Sequence, residues 1–329
     1  MTTVDTKILA ALDQDARSPE SVIGKKVGVS KQVVRYRLKK LQESGIIENY
    51  YTMIDVGKLG FDSYYVFIQW AGLNSKQESD LYQVLAKLPY VSWLITGIGR
   101  WDTVILLCAR SIAEFNAQLI ELKSLCKTHI HDFTFTTLLQ AEHISYKFLK
   151  TKTEKPLKTT SKNKLYSLDQ KDQAILKRIN HEARMPVTEI AKSIGQQVYN
   201  VHYRLSQLKK KNIIQGFKPK INIQRLGMQW HLLLISFKTV QEERTKAFIN
   251  YCKLHKNVYY ITNTVGKYNC MIDIHVKSTE EFREFLFDMK NAFEDVILLY
   301  ESIVVFEELL ISYLPQIVLD KTIKERSSK

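Results

Sequence analysis

Residues 30–47 read SKQVVRYRLKKLQESGII, and residues 197–214 read QVYNVHYRLSQLKKKNII. In the first stretch Ser30 can cap a helix whose Val34, Leu38 and Leu41 recur at i, i+4 and i+7 and therefore share one inward face. Gly45 supplies the left-handed residue that closes such a helix. The other face carries Lys31, Gln32, Arg35, Tyr36, Lys39 and Lys40, with no acidic side chain from Lys31 to Gln42. Upstream, Ser18-Pro19 reads as the cap and first residue of a shorter helix through Val22, Ile23 and Val27, and Gly28 as a tight turn. A short helix, a glycine turn and a capped basic helix are the parts of a helix-turn-helix, whose second helix lies in the major groove of DNA. Arginine pairs with guanine edges and glutamine with adenine, so Arg35 and Gln32 are expected at bases and Lys39 and Lys40 at phosphates. Arg37, flanked by inward positions, suits a structural ion pair equally well.

The second stretch belongs to a duplication. A fixed offset of 167 aligns residues 5–60 with 172–227 without a gap, with 19 identities in 56 positions. Among them are Ala16-Arg17 with Ala183-Arg184, Gly28 with Gly195, and Leu59-Gly60 with Leu226-Gly227. The second reading helix, expected from Val198 to Lys211, offers Tyr199, Asn200 and His202 at its tip and Lys209 and Lys210 at its end, with Asn212 as a left-handed stop. The two helices should therefore not read the same sequence. Beyond each helix a wing is expected, made in the first unit of two short strands, Ile46-Ile47 and Tyr50 to Ile54; in the second unit the wing places Lys218 and Lys220 at DNA.

The formal net charge is +14, and residues 169–227 hold 12 basic against 4 acidic side chains, which suggests a polyanionic partner. No apolar run approaches the ~18 residues needed to span a bilayer, and a cytoplasmic protein without membrane contact is expected. The four cysteines form no C-x-x-C pair and read as buried thiols. The eight histidines do not cluster, so neither a metal nor another cofactor is expected. After the wing, strand and helix patterns follow in the order βαββαβ from Ser63 to Leu139, and again from Gln229 to Phe306. The fold class is then α+β, two tandem units, each a winged helix-turn-helix followed by a ferredoxin-like sensor domain. Boundaries fall at 1–60 and 61–149 for the first unit and 169–227 and 228–320 for the second, with a lysine-rich solvated tether at 150–168 and a basic tail at 321–329. Each sensor sheet leaves one face uncovered, so the two should pair as an intramolecular pseudo-dimer.

On these residues the chain resembles the Lrp/AsnC (feast/famine) family of regulators. The resemblance rests on D-x-x-I-L at Asp5 to Leu9, on Ala16-Arg17, on S-x-x-x-V-x-x-R-L-x-x-L-x-x-x-G-I-I from Ser30 to Ile47, on Leu59-Gly60, and on G-x-x-D from Gly99 to Asp102. It implies a transcription regulator that binds double-stranded DNA, assembles through its sensor sheets and often further, and responds to a small molecule such as an amino acid near the G-x-x-D loop. Gly99 and Asp102, with Gly266 in the second unit, are the ligand-site residues so implied; Asn269 replaces the carboxylate there. The resemblance extends to haem-biosynthetic decarboxylases of the same build, which carry a histidine- and arginine-rich motif. Here the corresponding SWLITGIGRWD (92–102) and YYITNTVGKYN (259–269) contain no histidine, so an enzyme is not expected. An effector-free architectural DNA-binding protein is the third reading.

Overall fold

Thr2 opens α1 (Thr3–Gln14) through a capping box closed by Asp5. Pro19 caps α2 (Glu20–Val27), one residue later than expected, and Gly28 ends it at φ +80°. Ser30 Oγ accepts the Val33 N–H and starts α3 (Lys31–Glu43). The chain then forms one strand, β1 (Ile47–Ile54), where two were expected. The sensor follows as β2 (Asp62–Trp70), α4 (Ser75–Leu85), β3 (Val91–Gly99), β4 (Thr103–Ala109), α5 (Ile112–Cys126) and β5 (Ile130–His143). The computed structural model describes residues 1–149, 156–161, 165–180, 182–239 and 241–320.

Part of the expected tether is a strand. β6 (Leu157–Thr160) pairs with Gln140–His143 of β5, and its Thr159 is buried. A polar composition hid it, because the pairing depends on a distant strand and not on local alternation. Residues 150–155 and 162–164 of the expected tether, and the basic tail, lie outside the described residues, whereas Leu168 is buried in a core. The second unit runs α6 (Gln170–Ile179), α7 (Val187–Ser193), α8 (Val198–Lys210), β7 (Ile214–Ile221), β8 (Gln229–Phe237), α9 (Glu242–Leu254), β9 (Val258–Gly266), β10 (Cys270–Val276), α10 (Thr279–Ala292) and β11 (Ile297–Ile311). Asn212, at φ +53°, takes the left-handed position that Gly45 takes in the first unit at φ +69°.

The two sensors join through their last strands. β5 pairs with β2 of its own unit and with β9 of the other; β11 pairs with β8 and with β3. Passing through β2, β4, β3, β11, β8, β10, β9 and β5 returns to β2, so eight antiparallel strands close on themselves and bury their edges. Inside lie Phe67, Trp101, Leu232, Tyr268 and Met271. The sensor helices pack outside, α4 and α5 over Tyr64, Ile105 and Leu107, and α9 and α10 over Leu233, Ile272 and Ile274. A further core, drawn from both helix-turn-helix units and Leu314, Val318 and Leu319, holds the reading heads together. No helix among the described residues is long and apolar enough to cross a membrane.

Candidate nucleic-acid interface

Val34, Leu38 and Leu41 bury one side of α3, which leaves Lys31, Gln32, Arg35, Tyr36, Lys39 and Lys40 exposed on the other. The Arg35 side chain is 67% exposed and its guanidinium lies 3.1 Å from the Glu20 carboxylate in the first turn of α2. A surface pair of this kind contributes only about 0–1 kcal/mol, so Arg35 can exchange Glu20 for a base edge at little cost. Lys39 and Lys40 both reach Glu43, at 3.7 and 3.2 Å. Two carboxylates therefore flank a face that reads as wholly basic in sequence. Arg37 turns away to Asp5 at 3.7 Å, and its counterpart Arg204 is held by Asp169 at 2.6 Å and Asp172 at 2.7 Å. Both arginines tie the reading helix to the first helix of their unit.

On α8, Val201, Leu205 and Leu208 face inward, while Tyr199, Asn200, His202, Lys209 and Lys210 are exposed. Its tip is apolar and aromatic, with Tyr199 77% and Val198 47% exposed. Gln197 provides no side-chain cap, unlike Ser30. The repeated fold thus presents two chemically unlike surfaces.

Lys218 and Lys220 are not part of either surface. Lys218 is buried with its ammonium 3.1 Å from Asp13 of α1, and it also donates to the Asp13 carbonyl. Lys220 sits between Glu48 at 2.9 Å and Glu308 at 3.6 Å. Burial works against the Lys220 charge, but the two carboxylates outweigh it and hold its pKa above the usual lysine value. The expectation that these lysines touch DNA fails because β7 does not form a free wing: it pairs along its length with β1 of the other unit, from Ile47 against Ile221 to Ile54 against Ile214.

Around that pairing the repeat exchanges arginines. Arg17 donates to the carbonyls of Ala183 at 2.6 Å and Met185 at 2.9 Å, and lies over the Phe217 ring at 5.3 Å. Arg184 reciprocates with the carbonyls of Ala16 and Ser18 and the Tyr50 ring, at 5.3 Å. The repeated Ala-Arg was visible in sequence; its task, clamping one reading head to the other, was not, because a side chain that crosses between units leaves no local pattern.

The G-x-x-D loops lie at a different seam, where the sensor strands of the two units meet. Asp102 Oδ2 accepts the Trp70 N–H at 2.8 Å, and Asn269 Oδ1 accepts the Phe237 N–H at 2.8 Å. Carboxylate and amide thus accept the equivalent backbone hydrogen bond in the two units. Gly99, at φ +153°, faces β11 so closely that a Cβ would stand 2.3 Å from the Ser302 carbonyl oxygen; Gly266, at φ +139°, meets Thr136 of β5 at 3.0 Å. The geometry gives Gly99 and Gly266 structural tasks in the strand exchange, and Asp102 a hydrogen bond within its own unit.

A family model described as winged helix-turn-helix DNA-binding matches residues 1–48 and again 168–215. The HTH-type transcriptional regulator LrpA of Pyrococcus horikoshii is 42% identical over 84 residues, which cover 26% of this chain and 56% of LrpA. The regulatory protein AsnC of Haemophilus influenzae is 32% identical over 119 residues, 35% of this chain and 77% of AsnC. Among solved structures, the siroheme decarboxylase NirDL superposes with a TM-score of 0.62 over 99% of this chain and 100% of its own, at 16% identity. That likeness is one of fold.

Proposed function

The chain belongs to the Lrp/AsnC family of DNA-binding transcription regulators, and from this premise we propose that one chain acts as a complete, asymmetric reading head for double-stranded DNA, modulated by a small molecule of amino-acid size and without enzymatic activity. The observation that carries the proposal is the clamp between units: the Arg17 and Arg184 exchange and the β1–β7 pairing fix α3 and α8 in one body while their exposed faces differ. In single-unit proteins two copies of one helix read two like half-sites. Here Arg35 and Gln32 offer base-edge hydrogen bonds, whereas Val198 and Tyr199 offer apolar contact of the kind that suits a thymine methyl. The absence of histidine from 92–102 and 259–269 supports a regulator over a decarboxylase.

The test is competition binding on a cognate site and on random DNA at fixed salt. Arg35→Ala is expected to weaken cognate binding by about 1–3 kcal/mol and to relax one base position. Lys39→Ala should weaken binding to both DNAs alike. Equal losses for Arg35→Ala on cognate and random DNA would remove the base-reading role.

A further inference from the structure

Where the closed strands meet the segments that leave β1 and β11 there is a cavity of about 80 Å³. Trp93, Trp230, Tyr65 and Tyr260 line it, together with two carboxyls, Asp273 and Glu308. The internal repeat marks one of these carboxyls as an addition. Under the 167-residue offset, Asp273 corresponds to Leu106, which lines the same cavity. The second unit has placed an acid on a core strand position that the first fills with a leucine.

Asp273 is 6% exposed, and the Trp230 indole N–H, at 2.8 Å, is its one hydrogen-bond donor among the described residues. It makes no ion pair among them. Glu308 accepts the Trp93 indole N–H at 2.7 Å and shares Lys220 with Glu48. Burial, with Glu308 adding to it, raises the Asp273 pKa to about 7. Burial also raises Glu308, against the opposing pull of Lys220 and Trp93. A buried carboxylate without a matching positive charge is costly, and a cation entering the cavity supplies that charge.

We infer that this cavity is a binding site for a compact organic ammonium ion, with its charge against Asp273 and its alkyl groups against the indole and phenol rings. Faces of tryptophan and tyrosine attract alkylammonium groups, and a desolvated carboxylate strengthens the attraction. The cavity is smaller than the ~150 Å³ that accepts benzene, which limits the ligand to about four or five heavy atoms. A free amino acid is disfavoured, because its carboxylate would face Asp273 and Glu308. The site goes beyond the DNA-reading proposal and does not depend on it.

The full chain is titrated with tetramethylammonium and with n-propylamine, at constant ionic strength, while thermal midpoint and indole fluorescence are followed. Tert-butanol, a neutral molecule of like shape, and acetate, an anion, serve as comparisons. Saturable stabilisation by the two cations and none by the comparisons is expected. Binding should weaken about tenfold from pH 8 to pH 6, as Asp273 takes up its proton. Glu308 on β11 titrates in the same direction, Lys220 on β7 stays charged, and the Cys108 thiol on β4, the buried His275 on β10 and the tyrosines stay neutral between pH 6 and 8, so none of them opposes the trend. Asp273→Asn, which keeps an acceptor for Trp230, and Asp273→Leu, which copies the first unit, should each abolish the cation response. Equal stabilisation by tert-butanol would mean an apolar hole, and no saturable response or full binding by Asp273→Asn would likewise overturn the site. If neither variant folds, the native chain decides, since equal cation affinity at pH 6 and pH 8 refutes the role of Asp273.

Discussion

Lys218 and Lys210 carry the same charge and do different work. Lys210 ends α8 on the surface, where the proposed DNA complex would bring it to a phosphate. Lys218 closes a buried pair with Asp13, whose other carboxylate oxygen accepts the Tyr146 N–H at 3.1 Å. Removing one partner of a buried pair leaves the other charge uncompensated, at a cost of about 3–5 kcal/mol. Lys218→Met should therefore lower chemical-denaturation stability by that amount while the folded fraction binds DNA as before; Lys210→Ala should show the reverse, with stability intact and a shallower salt dependence. A Lys218→Met protein of native stability but weaker DNA binding would return that lysine to the interface. Asp13, in α1, could not be matched to Lys218 from sequence, because the contact spans the two units.

At the scale of elements, what was legible is what is local. Ser30, Gly45 and Asn212 set boundaries of the reading helices and Gly28 ends the helix before the first of them, through caps and left-handed turns, and the βαββαβ order follows from periodicity. The illegible part is register between distant strands: β1 with β7, β3 with β11, and β5 with both β9 and β6. Each pairing joins segments whose own patterns are complete without it, so nothing in either segment announces the other. The same limit makes the repeated Ala-Arg legible in sequence but not its purpose. Arg17 is partly buried; burial and the nearby Arg184 lower its pKa against the opposing pull of Asp15, and its guanidinium donates to the Ala183 and Met185 carbonyls. Bonds from charged donors contribute about 1.5–3 kcal/mol. Arg17→Ala and Arg184→Ala should each destabilise the paired reading heads by an amount in that range, seen as faster amide exchange in β1 and β7 with the sensor strands unaffected. Uniform loss of protection over the whole chain would place the arginines in a general structural role.

For the whole molecule, the tether matters less than the seams it spans. Three cross-unit strand pairings, the shared core beneath the reading heads and the Trp101–Tyr268 hydrogen bond of 2.6 Å inside the ring all join residues from different halves. A protease site introduced between residues 151 and 155, clear of β6, should yield two fragments that co-elute at micromolar concentration after cleavage. Separate elution would show that covalent fusion, and not packing, holds the pseudo-dimer. Fusion does supply something association of identical chains cannot, which is a fixed inequality between partners: Ser30, Lys31, Gln32 and Arg35 in one unit stand where Gln197, Val198, Tyr199 and His202 stand in the other.

That inequality is the centre of the account, and selection of bound duplexes from a random pool tests it directly. One intact chain should enrich a site with two unlike halves, one of which loses its preference in Arg35→Ala and the other in Tyr199→Ala. Enrichment of a symmetric palindrome that is unchanged by Tyr199→Ala, or no enrichment at all at physiological salt, would contradict it.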